Sequence, residues 1–291
     1  MKINVALLML ITSILHTSCK NDKLAVAGSS SWNEIAIIDK ASGLIEWKHT
    51  LEAGETCDDV EVTPNGNVLY AYTGGARLIT RNHETVWDYK ADENEEIHTA
   101  KRLKDGNFML GISGEPARIV ELDATGKQVR EVKFPTLVFD VHAQFRQVFK
   151  TDSGVYLIPI VSKFKIMRVS EDGQLKGIVP ILAKPYSVVQ HKTGNLIVSC
   201  PEDRSIFTVN PYMQQIENYR KTTEIKGATI QAISELHLFD NENLMFANSK
   251  ITGSSDNAPL VVEINDKFEV VWTLPYNPEI KNVTSVFPFK E

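Results

Sequence analysis

The sequence predicts an all-β fold, a six-bladed β-propeller of four-stranded antiparallel blades, and three observations carry that prediction. The first is a repeated phrase: an apolar stretch, a polar turn with Gly or Asn, then a second apolar stretch. It stands at Val60–Leu69 as VEVTPNGNVL, at Ala100–Met109 as AKRLKDGNFM, at Val148–Leu157 as VFKTDSGVYL and at Val188–Ile197 as VVQHKTGNLI. A worn copy follows at Leu236–Met245. The turn residues Gly66, Gly106, Gly154, Gly194 and, in the worn copy, Glu242 succeed one another at intervals of 40, 48, 40 and 48 residues. Strands joined by tight turns at that period mark a radial propeller.

The second observation is a hairpin further along the unit. It spans Ile35–Trp47 around Asp39–Gly43, Ala117–Phe134 around Asp123–Gly126, Ile166–Ile178 around Glu171–Gly173 and Val261–Trp272 around Asn265–Lys267. Gly and Asx in such turns supply the positive φ that hairpins require. The third observation is that the two ends complete each other. Leu24–Leu51 reads as strands B, C and D with no strand A before them, and Asn282–Phe289 reads as a strand A with nothing after it. Joined, they make one composite blade beside five internal repeats, closed by the C-terminal strand A pairing with N-terminal strands B–D. Ring closure removes the exposed sheet edges that invite aggregation.

Within a unit the strands follow in order. In the second repeat, Ile97–Leu103 is the innermost strand A, Asn107–Ser113 is B, Ala117–Leu122 is C and Gln128–Phe134 is D. Trp47, Trp87 and Trp272 each close a strand D and are expected to pack between blades. Trp32 falls outside that register, in the loop Gly28–Glu34, and is expected to be exposed, where it could stack on a ligand. Cys57 and Cys200 belong to repeats on opposite sides of a six-fold ring, whereas a disulfide needs Cα atoms within about 7 Å. Two separate thiols in the core are expected.

The N-terminus reads as an address. Lys2 precedes the apolar run Val5–Ile11, which is short of the roughly 20 residues needed to span a bilayer and fits a signal-peptide core. Cys19 follows small residues just past that core, which resembles the lipobox of bacterial lipoproteins. The resemblance implies a signal peptide over 1–18, lipidation of Cys19, a short tether over 19–23 and the propeller over 24–291. It also implies a cell-envelope location, with membrane contact only through the lipid.

Strand A lines the central channel, and its first residues ring the channel mouth. Counting back from the turn glycine, position −6 is apolar in every blade: Val60, Ala100, Val148, Val188, Leu236 and Val286. Position −7 holds Asp59, Thr99, Gln147, Ser187, Glu235 and Ser285, and position −8 holds Asp58, His98, Arg146, Tyr186, Ser234 and Thr284. Packing alone would favour similar residues around a ring. This mixture suits recognition of a polar ligand, and it also suits a water-filled channel. The segment Asp140–Gln147 is the densest, with His142, Gln144, Phe145, Arg146 and Gln147 within eight residues. Arg146 could clamp a carboxylate, sulfate or phosphate, and His142 could act as acid or base. The alternative is a structural loop in which Arg146 pairs with Asp140. His237, at position −5, is expected to pack between blades.

Composition narrows the function classes. The 291 residues carry a net charge of −6 and no Lys/Arg run, which argues against nucleic acid. No Cys/His spacing fits a zinc site, and no nucleotide loop or nucleophile elbow is present. No metal and no cofactor is therefore expected, and a monomer is expected.

The repeat "apolar–x–Asp/Lys–Gly–Asn–apolar" followed by "Asp–x–x–Gly–x–apolar–x–Trp" resembles the quinoprotein-like propeller superfamily. Over residues 24–291 the chain is also similar to secreted propeller lipoproteins of Bacteroidetes that accompany polysaccharide-utilisation machinery. That resemblance implies a fold rather than a chemistry, and with six blades and no calcium-loop signature a bound quinone is not expected. The stretch His98–Asn107 has the local shape of a phrase in aryl sulfotransferase propellers, which implies His98 as nucleophile and Arg146 as anion clamp. A sugar lyase or hydrolase would use His142 or His98 as base and Tyr186 as acid, with Asp58, Asp59 and Glu235 as candidate carboxylates. The reading favoured by the sequence is a binding module for a saccharide, an anionic polymer or a protein. Its site would be Asp58, Asp59, His98, His142, Gln144, Arg146, Gln147, Tyr186 and Glu235.

Overall fold

The computed structural model describes residues 22–28, 32–250 and 257–291. They form six four-stranded antiparallel sheets, each ordered A–B–C–D, as the blades of a propeller. The composite blade joins β1 (Asp22–Ala27), β2 (Glu34–Asp39) and β3 (Ile45–Thr50) to the last strand of the chain. Blade one holds β4 (Cys57–Val62), β5 (Val68–Tyr72), β6 (Gly75–Ile79) and β7 (Thr85–Lys90). Blade two holds β8 (Glu96–Arg102), β9 (Phe108–Ser113), β10 (Ala117–Leu122) and β11 (Gln128–Phe134). In blade three, β12 is only Phe149–Lys150, followed by β13 (Val155–Ile160), β14 (Lys165–Ser170) and β15 (Leu175–Pro180). Blade four comprises β16 (Ser187–Gln190), β17 (Leu196–Cys200), β18 (Ser205–Asn210) and β19 (Gln215–Lys221). Blade five comprises β20 (Ile233–Leu238), β21 (Leu244–Asn248), β22 (Val261–Ile264) and β23 (Val270–Leu274), and β24 (Ser285–Lys290) closes the composite blade.

The core lies between blades. Inner strands such as β5 and β9 are buried along their whole length, while the outermost strands β7 and β19 alternate with solvent. One apolar cluster joins Leu69 and Ala71 of blade one to Ile97, Ala100 and Leu110 of blade two. The tryptophans bridge the rim in the same sense. Trp47 Nε1 donates to the carbonyl of Arg81 in the next blade, at 2.8 Å. A Cβ built on Gly126, in the C–D turn of blade two, would lie 2.8 Å from Trp87 Cβ, and Trp272 lies under Lys40. Cys57 and Cys200 are separate buried thiols.

Two expectations change. Trp32 is not exposed; at 3 % accessibility it packs with Ile280, Val283 and Leu260 where blade five meets the composite blade. β1 starts at Asp22, inside the segment expected to be tether, because Lys23 is drawn in by Asp39 (3.1 Å) and Glu46 (2.6 Å). Cys19 and the segment 1–18 lie outside the described residues.

The turns explain the sequence period. Each C–D hairpin has a register shift beside a residue of positive φ: Gly43, His83, Gly126, Gly173, Gln214 or Phe268. The worn glycine of the A–B turns, Glu242, likewise has φ 69°. A left-handed conformation costs a side-chain-bearing residue about 1–2 kcal/mol. Exposed Gln214, at φ 54°, should therefore gain about 1 kcal/mol on Gln214→Gly, a rise of about 2 °C in Tm that thermal denaturation would detect.

Candidate functional site at the channel mouth

Along an ideal strand, neighbouring residues point to opposite faces. Here both −8 and −7 residues gather around the channel, and in blades one and two bulges are the reason. Pairing skips from Cys57 to Asp59 in β4 and from Ile97 to Thr99 in β8, so Asp58 and His98 are the extra residues. A bulge re-aims a side chain in this way.

The −7 side chains act as latches between blades. Asp59 accepts from Ala100 N (2.9 Å), Thr99 from Val148 N (2.9 Å) and Ser187 from Leu236 N (3.2 Å). Glu235 accepts from Val286 N (2.8 Å), and Ser285 accepts from Val60 N (3.0 Å). Each joins a −7 side chain to the −6 amide of the following strand A. Gln147 departs from the pattern: its Nε2 donates to Asp58 O at 3.2 Å, and its Oε1 is buried without a partner.

Below the mouth, Lys101 of blade two reaches across the channel. Its Nζ lies 2.6 Å from Asp59 Oδ1 and also bonds Glu235 of blade five. Burial pushes the Asp59 carboxyl well above the usual range, against the pull of Lys101. Burial likewise opposes the Lys101 charge, yet Asp59 and Glu235 together hold its pKa above the ordinary value. This bridge floors the mouth. Asp59 and Glu235 thus sit within the latch and bridge network.

Beneath the bridge a cavity of about 510 Å³ opens at the A–B turn end, lined in part by Lys101, Lys150, His191, Lys192, His237 and Phe287. His237 packs edge-on against Phe239 and Phe287, and burial pulls its pKa down to about 4. Glu61, also lining this cavity, accepts from Arg102 N at 2.7 Å, and burial pushes its pKa from 4.5 up to about 7. The folded form therefore holds that proton more tightly than the unfolded chain. Its stabilising effect is complete below pH 4.5 and lost as pH rises through about 7. Denaturant titrations across that window should show a falling stability that Glu61→Gln flattens.

At the mouth itself, the excursion between β11 and β12 carries His142, Gln144 and Arg146. It contains the 3-10 turn Val141–Ala143, with Asp140 accepting from His142 N at 3.1 Å. Gln144 pins this loop to blade two, bonding Gly114 N and O and Val138 O, each at 2.9 Å. His142 is thereby set over His98, their rings edge-to-face at 5.5 Å.

A carboxylate links the two rings. Glu96 Oε2 lies 2.8 Å from His142 Nδ1 and 2.9 Å from His98 Nε2, while Asp58 Oδ2 bonds His98 Nδ1 at 2.8 Å. Burial disfavours the charged form of His98, but Asp58 and Glu96 hold its pKa above the ordinary value. Glu96 is held down to about 2, chiefly by His98. Arg146 bonds the carbonyls of His142 and Phe145 and, among the described residues, has no carboxylate at ion-pair distance, Asp140 included. Tyr186 stays protonated because burial, and then the charge of Asp58, raise its pKa against the opposing charge of Arg146. Asp58, His98, His142, Arg146 and Tyr186 thus share one end of the channel. Glu96 was missed in the sequence, although Glu96 and His98 are two apart on one strand.

The fold and this mouth define a six-bladed propeller that gathers titratable side chains of four successive blades over one end of a plugged channel. The chain belongs to the Mal s 1 allergenic protein-like family, whose model matches residues 28–257. It is similar to a protein of unknown function from Bacteroides caccae at 29% identity and TM-score 0.87, covering 93% of this chain and 100% of that one. Virginiamycin B lyase from Staphylococcus aureus shares the fold at 14% identity and TM-score 0.59, covering 86% of this chain and 78% of that one. The WD40 β-propeller domain of Doa1 does so at 13% identity and TM-score 0.58, covering 77% and 71%. Among curated proteins, none matches the chain.

Proposed function

We propose that this chain is a ligand-recognition module of the cell envelope, lipid-anchored at Cys19, whose channel mouth binds a saccharide or related anionic polymer. The observation that carries this reading is the Arg146 guanidinium. It is held by backbone carbonyls with no carboxylate partner among the described residues, beside the protonated Tyr186 hydroxyl and the exposed His142. A fixed cation next to a neutral hydroxyl donor suits an anionic or hydroxyl-rich group. With Lys20 and Asn21 alone between Cys19 and β1, the anchor would hold the propeller close to the lipid surface.

The test is a thermal-shift and turnover screen of the soluble 20–291 chain against acidic and neutral oligosaccharides, with mass spectrometry of the mixtures. Arg146→Ala should weaken binding about ten- to a hundredfold, the loss of a charged hydrogen bond of about 1.5–3 kcal/mol. Equal affinity of this variant and the parent would remove the mouth as the site. A catalytic reading, as lyase or hydrolase, is favoured by one feature. His142 is exposed while its Nδ1 is bound by Glu96, an arrangement that orients a general base. Product formation lost in His142→Ala would establish it. Binding without turnover would leave recognition as the function.

A further inference from the structure

We propose that Glu96, His98 and His142 form a binding site for a divalent transition-metal ion of the zinc class at the channel mouth. One ligand atom from each of the three lies within 4.8 Å of the other two. Bonds of about 2.1 Å from a tetrahedral zinc to nitrogen and oxygen place its ligand atoms about 3.4 Å apart. Small side-chain rotations bring these three to that spacing.

The setting of His98 is the second, independent observation. This side chain is 1 % exposed, and its Nδ1 is engaged by Asp58 Oδ2 at 2.8 Å. With Nδ1 taken by Asp58, Nε2 is the nitrogen left to face Glu96. Yet Nε2 is buried with no hydrogen-bond partner, although Glu96 Oε2 is only 2.9 Å away. A divalent cation there, in exchange for the proton, would bond both Nε2 and the Glu96 carboxylate. The carboxylate behind the far nitrogen is the arrangement by which metal-bound histidines are oriented and made more basic.

The remaining geometry agrees. His142 has 67 % of its side chain exposed, so the cluster opens to solvent and leaves a position for water or an exogenous ligand. Two imidazoles and one carboxylate suit zinc, cobalt or nickel, and suit calcium or magnesium poorly, since those ions prefer all-oxygen shells. The ligands come from β8 and from the loop before β12, so their spacing forms no sequence motif. The inference does not depend on what organic ligand the mouth accepts.

The test is direct metal binding to the untagged, chelator-treated protein. Calorimetry with Zn²⁺ should give one equivalent bound, with a rise in Tm. Co²⁺ should give the visible absorption of a four-coordinate N/O site. His142→Ala, an exposed position that leaves the core intact, should weaken binding at least tenfold and remove the cobalt spectrum. Asp58→Asn should weaken binding about ten- to a hundredfold, with the folded far-UV spectrum retained. The His49–His83 pair, with Nδ1 atoms 3.0 Å apart, is a second place where imidazoles meet, so His83→Ala should leave the stoichiometry unchanged. Absence of stoichiometric binding, undiminished binding by His142→Ala, or preference for Ca²⁺ or Mg²⁺ over Zn²⁺ would each overturn the assignment.

Discussion

Removal of Ser285–Glu291 is expected to abolish cooperative folding. β24 pairs with β1 along its full length, from Asp22 opposite Lys290 to Ala27 opposite Ser285. Without it, β1 becomes an unpaired inner edge, the kind of row of free N–H and C=O groups that recruits other chains. The loss extends beyond the sheet. Ser285 Oγ accepts from Val60 N at 3.0 Å and donates to Glu235 at 2.5 Å, while Val286 N donates to the same carboxylate at 2.8 Å. The buried Val60 amide would lose its acceptor and the buried Glu235 carboxylate would keep only Lys101, each loss costing about 1–3 kcal/mol. Circular dichroism and size-exclusion chromatography should show an unfolded or aggregated product. A truncated chain that stayed monomeric with unchanged melting would refute ring closure as a source of stability.

The second large effect is expected at Lys101. Its ammonium is shared between Asp59 Oδ1, at 2.6 Å, and Glu235 across the channel. Lys101→Met leaves two buried carboxylates facing each other without a cation. Breaking a buried ion pair from one side costs about 3–5 kcal/mol, so chemical denaturation near pH 8 should register a loss of that order. The penalty should shrink as pH falls. Burial already raises the Asp59 pKa, and removing the cation raises it further, so the folded variant gains stability as that carboxyl takes up its proton. A loss below about 1 kcal/mol, equal at pH 5 and pH 8, would show that the bridge contributes little.

Much of the architecture was legible because every repeat solves one packing problem with one local pattern. Strands β9, β10 and β11 fall within a residue of the boundaries read from DGN and the Asp123–Gly126 turn. The composite blade was legible because each end lacked what the other supplied. Trp32 was misread because its burial depends on Ile280 and Val283, near the other end of the chain, which no local pattern reports. At the mouth, the variety at position −8 set those residues apart from repeated packing positions, and Asp58, His98, Arg146 and Tyr186 do meet there. The bulges at Asp58 and His98 were not legible, since an extra residue in a strand leaves no mark in composition. Nor was the latch at position −7, where Asp, Thr, Ser and Glu do the same work because each offers an oxygen to the next amide. Glu96 had one usable signal, its place two residues before His98 in a strand bordering the channel.

The pairing of β1 with β24 also orders events in time. During synthesis β1 emerges before the other described strands, and its inner partner β24 is made after all of them. Until then the growing arc carries an unsatisfied edge at each end and cannot close, however well each finished blade is packed. Contacts between residues so far apart in sequence form slowly, and unpaired edges make such species prone to association. Completion of the ring is therefore a single late event, and the survival of the nascent arc before it depends on whatever shields β1 while it waits.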